Sequence, residues 1–410
     1  MSGASERTPT ATVIAALRRF LPAFVRKFPC LPVFLTRAIW AIRHCRTLAM
    51  GGHAYVCDDC GQWKFSFHSC NHRGCPQCGR SGTAKWVERE LAKRVGAPYF
   101  MATFTLPSEL RTLFFGPQAR QVYDLFFTAS SRALAETLAK HRGLRAQRGG
   151  FTGILHTWNQ RLFFHPHIHF IVPGAGIDAD GNVVTVKSAK FLVPLPMLQQ
   201  AFREHFQREW EALKQTAEWR ENQHRYGQIE SDLRFSKVWA KDWGVHIQPF
   251  GDGANAIKYL GMYVCRSVIS DSRILSVGGD TVTFRWKDRS AQNRLRTETI
   301  PGEEFVSRYL RHVLPQKMRA IRHFGYCHPA AKATRERIAF HTGKTLHIGP
   351  SLAETVAAAG CADPDKPTTP LCPCCQRPMT RLELKLDQLS PEILSASLRA
   401  PPTTSLALPS

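Results

Sequence analysis

The sequence predicts an α+β fold built around an antiparallel sheet, and three stretches carry that expectation. Tyr99 to Leu106 is a β-branched and aromatic run that ends at Pro107, the signature of a strand. Over residues 117–141 apolar side chains recur at helical spacing, with Val122, Leu125, Phe126, Leu134 and Leu138 on one side. Thr152 to Trp158 and Phe163 to Gly174 then flank a short turn at Asn159-Gln160, which reads as a hairpin. A strand, a helical excursion and a hairpin give one antiparallel sheet with helices on one face.

The other elements follow in chain order. Val13, Leu17, Phe20, Leu21 and Phe24 mark an N-terminal helical segment over residues 1–50, with Pro22 and Pro29 bending its path. Cys30 and Cys45 read there as buried small hydrophobes. Residues 51–96 hold two C-x-x-C pairs, Cys57/Cys60 and Cys75/Cys78, each followed by glycine and separated by fourteen residues. That spacing predicts a zinc ribbon in which Cys57, Cys60, Cys75 and Cys78 hold one tetrahedral ion. Cys70 is an alternative ligand, and His53, His68 and His72 are further candidates. Residues 97–330 form the core, which includes an amphipathic helix over 197–220, a strand from Val245 to Phe250 and a helix from Ala254 to Arg266. A strand from Thr281 to Trp286 and a helix from Glu303 to Leu314 complete it. Residues 331–410 are a C-terminal extension that turns Ala/Pro/Thr-rich beyond Gly349 and ends in a disordered tail. Its Cys361, Cys372, Cys374 and Cys375 could make a second, minor zinc site, but they lack a complete second ligand pair, and a solvent-exposed remnant is the preferred reading.

Composition narrows the partner. Lys and Arg number 55 against 32 Asp and Glu, a net charge of +23, which predicts a polyanion because phosphate contacts and counterion release dominate nucleic-acid affinity. Arg73, Arg80, Lys85, Arg89, Lys93 and Arg94 beside the zinc knuckles favour DNA. No apolar run is long enough to span a membrane, and Arg18-Arg19 interrupt the first apolar stretch before it makes a secretory core, so a cytoplasmic protein is expected. Thirteen cysteines in a reducing compartment point to metal ligands rather than disulfides.

The chemistry gathers at His165-Pro166-His167-Ile168-His169. Side chains alternate along a strand, so His167 and His169 share one face while Ile168 enters the core. Two imidazoles on a rigid strand are two-thirds of a metal site. The third ligand stays open among His165, which has the same parity, His156 on the neighbouring strand, and Asn255. Tyr259 and Tyr263 are four residues apart and share a helix face. A tyrosine hydroxyl attacks a phosphodiester only when the phosphate is polarised or the proton removed, and a divalent cation at His167 and His169 would do the first. A covalent phosphotyrosine keeps the phosphodiester energy for strand transfer.

The ordered set of motifs resembles the IS91-type transposases, in the branch of insertion-sequence common-region elements. It runs through Cys45-Arg46-Thr47, Gly51-Gly52-His53, the paired knuckles, Thr103-Phe104-Thr105-Leu106-Pro107 and Leu155-His156-Thr157-Trp158. It continues through His165 to His169, Lys258-Tyr259-Leu260-Gly261-Met262-Tyr263, Val282 to Asp288, Glu304 to Pro315 and Arg319 to Gly325. The resemblance implies an HUH nuclease core, an antiparallel sheet with flanking helices, preceded by the helical segment and the zinc ribbon. It implies rolling-circle transposition, in which single-stranded element ends are nicked through a 5′-phosphotyrosine and transferred to target DNA, with host helicase or replication proteins as partners. His167 and His169 carry over as ligands of Mg²⁺ or Mn²⁺, Tyr259 and then Tyr263 as nucleophiles, and the ribbon as a structural Zn²⁺ module that recognises DNA. A plasmid-type replication initiator or relaxase shares this chemistry, and a non-catalytic zinc-dependent DNA-binding protein is the remaining alternative.

Overall fold

The computed structural model describes residues 11–78, 83–116, 118–222, 237–240, 243–264, 268–343 and 369–382. Two helices open the chain, α1 (Val13–Lys27) and α2 (Val33–His44), followed by a hairpin of β1 (Gly52–Val56) and β2 (Trp63–Phe67). Next come α3 (Thr83–Ala92), β3 (Tyr99–Thr105), α4 (Ala119–Lys140), β4 (Gly150–Trp158) and β5 (Phe164–Pro173). A small hairpin, β6 (Ala175–Ile177) and β7 (Val183–Thr185), leads to α5 (Leu195–Lys214), α6 (Ala217–Asn222), β8 (Gly244–Pro249) and α7 (Ala254–Val264). Strands β9 (Ile274–Gly278), β10 (Thr281–Asp288) and β11 (Arg294–Pro301) precede α8 (Gly302–Leu310), β12 (Ile321–Gly325), α9 (Lys332–His341) and β13 (Thr380–Leu382).

The central sheet is antiparallel throughout, in the order β12-β4-β5-β3-β8. One face of β5 presents Phe164, Ile168, Phe170 and Val172 to the main core, where they meet Phe100 and Phe104 of β3 and the apolar sides of α4 and α5. Each such buried side chain contributes roughly 1.5–3 kcal/mol. The expectation of helices on one face alone needs correction. The opposite face carries Tyr99, Met101, Ile154 and Ile171, and these are buried by Trp86 of α3, Ile257 and Leu260 of α7 and Ile338 of α9. Strands apolar on both sides at one end require cover on both sides.

A second core joins α1 and α2 to the β11-β10-β9 sheet and α8. Thr12 starts α1 by accepting the Ala15 N–H on its Oγ1 at 3.2 Å. The helix then lays Val13, Leu17, Phe20 and Phe24 against Phe305 and Tyr309. Gly302 is required at this crossing, because a Cβ there would sit 2.2 Å from the Phe20 ring.

Two expected helices end differently. The 197–220 helix is split into α5 and α6, where Thr216 Oγ1 accepts the Trp219 N–H at 3.3 Å and starts a new helix. The helix expected to reach Leu314 stops at Leu310, and the Val313 N–H turns tightly onto the Leu310 carbonyl at 3.1 Å before Pro315. The disordered tail and Cys361 lie outside the described residues. Among the described residues no helix is long and apolar enough to cross a membrane.

Candidate functional site

The histidines occupy the half of the sheet that the second-face helices leave less covered. In the β4–β5–β3 register, His156 stands opposite His167, while Ile154 and Thr103 stand opposite His169. Directly opposed residues share a face, so His156, His167 and His169 converge. One imidazole nitrogen from each lies within 4.8 Å of the others. The rings meet edge to face, with centroids 4.7 Å apart for His156 and His169 and 4.8 Å for His167 and His169.

Hydrogen bonds aim these rings. His167 Nδ1–H donates to the His165 carbonyl at 2.7 Å, which leaves the Nε2 lone pair free to face the cluster. His169 Nδ1 bonds Thr103 Oγ1 at 2.8 Å, and with the proton on Nδ1 its Nε2 is also a donor of electrons. Burial pushes the His167 imidazole down to about 4 and holds His156 and His169 well below the ordinary histidine range. All three are neutral near pH 7, the form that binds metal.

Of the three candidates for the third ligand, His156 is the one whose nitrogen joins the group. His165 has the right parity but stands outside it, and its Nδ1 lies 3.0 Å from the Arg111 guanidinium. Asn255 is exposed on the first turn of α7. Three residues missed in the sequence belong here: Thr103 as the anchor of His169, Arg289 as a cation whose field reaches His167 and His169, and Arg111 as the partner of the neighbouring His165. Strand alternation could have indicated Thr103, but nothing local connects Arg289 with residues 165–169.

Tyr259 lies on α7, half-buried among the residues that cover Ile154 and Ile171, on the sheet face that bears the histidines. Tyr263 is one turn further along the same helix. The helix is set by Gly251-Asp252-Gly253, where Asp252 Oδ1 accepts the Ala254 N–H at 3.0 Å and its other oxygen pairs with Arg94. Gly253 has φ +81 and packs so closely on Tyr99 that a Cβ would come within 2.4 Å of the ring.

The cysteines are arranged otherwise than the spacing suggested. Cys75 and Cys78 gather with Cys45 and Cys70, whereas Cys57 and Cys60 gather with Cys372 and Cys375. The single ribbon site of Cys57, Cys60, Cys75 and Cys78 is therefore corrected to two four-cysteine groups. The hairpin is the reason. Val56 pairs with Trp63 at its turn, and Gly52 pairs with Phe67 at its open end. Four residue steps of about 3.3 Å separate those ends by roughly 13 Å, too far for one ion. Cys57 and Cys60 sit at the turn, and Cys45 and Cys70 flank the open end, where Arg46 N–H bonds the His68 carbonyl at 3.1 Å.

Cys45 is thus no inert small hydrophobe: its Sγ is 3.4 Å from that of Cys78. Cys30 is exposed rather than buried. Cys372 and Cys375 are likewise no isolated remnant, and the Cys375 N–H, with that of Cys374, holds the Cys372 thiol down at about 7. Cys374 itself is exposed and outside the group. His53 and His68 pair with each other at 3.3 Å, and His72 Nδ1 accepts the Gly74 N–H at 3.0 Å, so none of the three joins the cysteine groups.

Comparisons with known proteins converge on one family. Residues 16–106 match the family model described as "Transposase zinc-binding domain", and residues 150–335 match one described as "Putative transposase". The "Putative transposase y4qJ" of Sinorhizobium fredii is 34% identical over 325 residues, covering 75% of this chain and 78% of that protein. The transposase for insertion sequence element IS801 of Pseudomonas savastanoi pv. phaseolicola is 28% identical over 303 residues, covering 69% and 67%. No solved structure matches.

Proposed function

From the premise that this chain belongs to the IS91-type transposases, we propose that it nicks single-stranded element ends and transfers them to target DNA through a phosphotyrosine. The observation that carries the reading is the group of three neutral imidazoles, His156, His167 and His169, on the sheet face against which the Tyr259 helix packs. Five antiparallel strands with helices on both faces suit an HUH-type core over residues 97–330.

The donor set fits a divalent cation: three neutral imidazoles, of which His167 is oriented by a backbone carbonyl and His169 by a hydroxyl. Nitrogen donors match Mn²⁺ better than Mg²⁺. A cation held there supplies Lewis-acid polarisation of the scissile phosphate. Arg111 and Arg289 add positive charge where the phosphate oxygens gain negative charge. The Tyr259 hydroxyl attacks phosphorus; the bond to the 3′ oxygen breaks, that oxygen takes a proton, and DNA is left joined by its 5′ phosphate to tyrosine. A 3′ hydroxyl of the target reverses the step and frees the tyrosine. Tyr263 permits a second attachment, as rolling-circle transfer of two ends requires. Zinc held by Cys45, Cys70, Cys75 and Cys78 fixes the residue 51–96 module, whose basic residues bind DNA. A host helicase supplies the single strand.

One incubation tests this. Labelled single-stranded element-end DNA is mixed with Mn²⁺ and wild type, Tyr259→Phe, Tyr263→Phe or His167→Ala. Wild type is expected to give a protein-bound label that survives boiling in detergent, and Tyr259→Phe and His167→Ala to lose it. No label with wild type rejects the mechanism. Loss with Tyr263→Phe alone moves the nucleophile one turn along α7. DNA affinity without any adduct in every sample would favour the non-catalytic DNA-binding alternative.

A further inference from the structure

Half of the turn-end cysteine group lies outside both family matches: Cys57 and Cys60 fall within residues 16–106, but Cys372 and Cys375 lie beyond residue 335. We propose that Cys57, Cys60, Cys372 and Cys375 bind a second zinc ion, which clasps the C-terminal segment to the N-terminal hairpin. The proposal does not depend on the nuclease reading.

The two C-x-x-C segments are conformational copies of one another. Gly61 N–H bonds the Cys57 carbonyl at 2.9 Å, and Gln376 N–H bonds the Cys372 carbonyl at 3.0 Å. Cys57 N–H bonds the Gln62 carbonyl at 2.9 Å, and Cys372 N–H bonds the Arg377 carbonyl at 2.8 Å. The residue after each pair is left-handed, with φ +70 at Gly61 and +59 at Gln376. Gln376 adopts this conformation without glycine's freedom, so the surrounding contacts hold it there. Two matched knuckles facing each other are the form of a closed structural zinc site.

The sulfur geometry agrees. Cys57 and Cys375 Sγ are 3.4 Å apart, Cys60 and Cys372 3.5 Å, and Cys60 and Cys375 3.8 Å. Four sulfurs about 2.3 Å from a central zinc are about 3.8 Å from one another. A disulfide needs about 2.05 Å. Four thiols with no carboxylate among them select a soft ion such as Zn²⁺ over Mg²⁺ or Ca²⁺.

Other contacts bring the two segments together. Strand β13 pairs with β1, matching Ala54 with Leu382 and Val56 with Thr380. Asp59 pairs with Arg377 at 2.5 Å, and Asp58 accepts from Thr380 at 2.5 Å. A three-residue strand is too short to hold two ends of the chain by itself. The ion would supply that hold, and it would make the seating of the C-terminal segment depend on zinc.

The test measures zinc and thiols per full-length chain. Wild type should hold two zinc ions. Cys372→Ser with Cys375→Ser should lower this to one, as should Cys70→Ser with Cys75→Ser, while Cys374→Ser keeps both. Because serine variants can misfold, Cys375→His provides a second route: it restores a ligand, so two metals remain while the sulfur-to-metal absorption of the cobalt form weakens. Two zinc ions in the Cys372→Ser, Cys375→Ser protein would overturn the proposal. So would one zinc in wild type, or a disulfide between Cys57 and Cys375 found under non-reducing conditions.

Discussion

Gly261 lies between the two tyrosines, and replacing it with alanine tests how tightly their helix is held. The added Cβ would lie 2.1 Å from Val87 Cγ2 and 3.4 Å from Trp86 on α3. Carbon atoms pack at about 3.5–4.0 Å, so the overlap with Val87 exceeds 1 Å by any measure. Val87 is β-branched and has one strongly preferred rotamer in a helix, so it cannot swing away cheaply. Overpacking of this kind costs about 1–3 kcal/mol, and a clash with a stiff side chain belongs at the upper end. Against it stands the gain of about 1 kcal/mol from placing alanine instead of glycine in a helix. The net expectation is a loss of about 2 kcal/mol, read as a lower urea midpoint with zinc held constant. Relief comes by shifting α7 on α3, and a nucleophile displaced by about 1 Å loses about 100-fold in rate. Gly261→Ala should therefore also slow formation of the protein–DNA adduct, normalised to folded protein. Val87→Ala makes room, so the double variant should recover most of both losses. A Gly261→Ala protein more stable than wild type, with an undiminished adduct rate, would show that the helices do not meet as closely as this argument requires.

Two further outcomes follow from side chains around the same sheet. Thr103→Val removes the oxygen that orients His169, so Mn²⁺ affinity measured by titration should fall about 10–100-fold with little change in melting temperature; an unchanged affinity would show that Thr103 does not orient the ring. Burial depresses His312 to about 4, with Nε2–H donating to the Leu162 carbonyl and Nδ1 accepting from Thr157. The unfolded chain takes up this proton near its ordinary value of 6.5 and the folded chain does not, so stability is full above 6.5 and falls as pH drops towards 4. At pH 5 the loss from this residue is about 2 kcal/mol. Urea midpoints at pH 7.5 and 5 should therefore differ less in His312→Gln than in wild type, and an equal difference would acquit His312.

Much of the fold was legible because its signals are local. The β3, β5 and β10 runs and the α4 and α7 patterns declare their period within their own length, and their bounds fall within a few residues of expectation. The β12 strand gave no such signal: Ile321–Gly325 reads Ile-Arg-His-Phe-Gly, and it becomes a strand by pairing with Phe151 to Ile154 of β4. β13 is a strand for the same kind of reason, through its pairing with β1. The covering of the second face was missed, although α7 itself was expected, because Tyr99, Met101, Ile154 and Ile171 reveal a need for cover without revealing what covers them.

The same distinction explains the site. His167 and His169 could be read from one strand and Tyr259 from one helix, while choosing His156 over His165 required the β4–β5 register. The cysteines show where motif reading stops. A C-x-x-C pair looks the same in sequence whichever pair completes its tetrahedron, so the spacer has to decide. Fourteen residues drawn as a loose loop can bring two knuckles together. The same fourteen contain Trp63–Phe67, which pairs back onto Gly52–Val56 and runs to the far end of the hairpin. Read as an alternating strand, Trp63-Lys64-Phe65-Ser66-Phe67 separates the pairs from sequence alone. It also leaves each knuckle short of two ligands. Cys45 and Cys70, close in sequence to the open end, complete one group. The other had to look elsewhere in the chain for a matching C-x-x-C, and Cys372-Pro373-Cys374-Cys375 has that spacing.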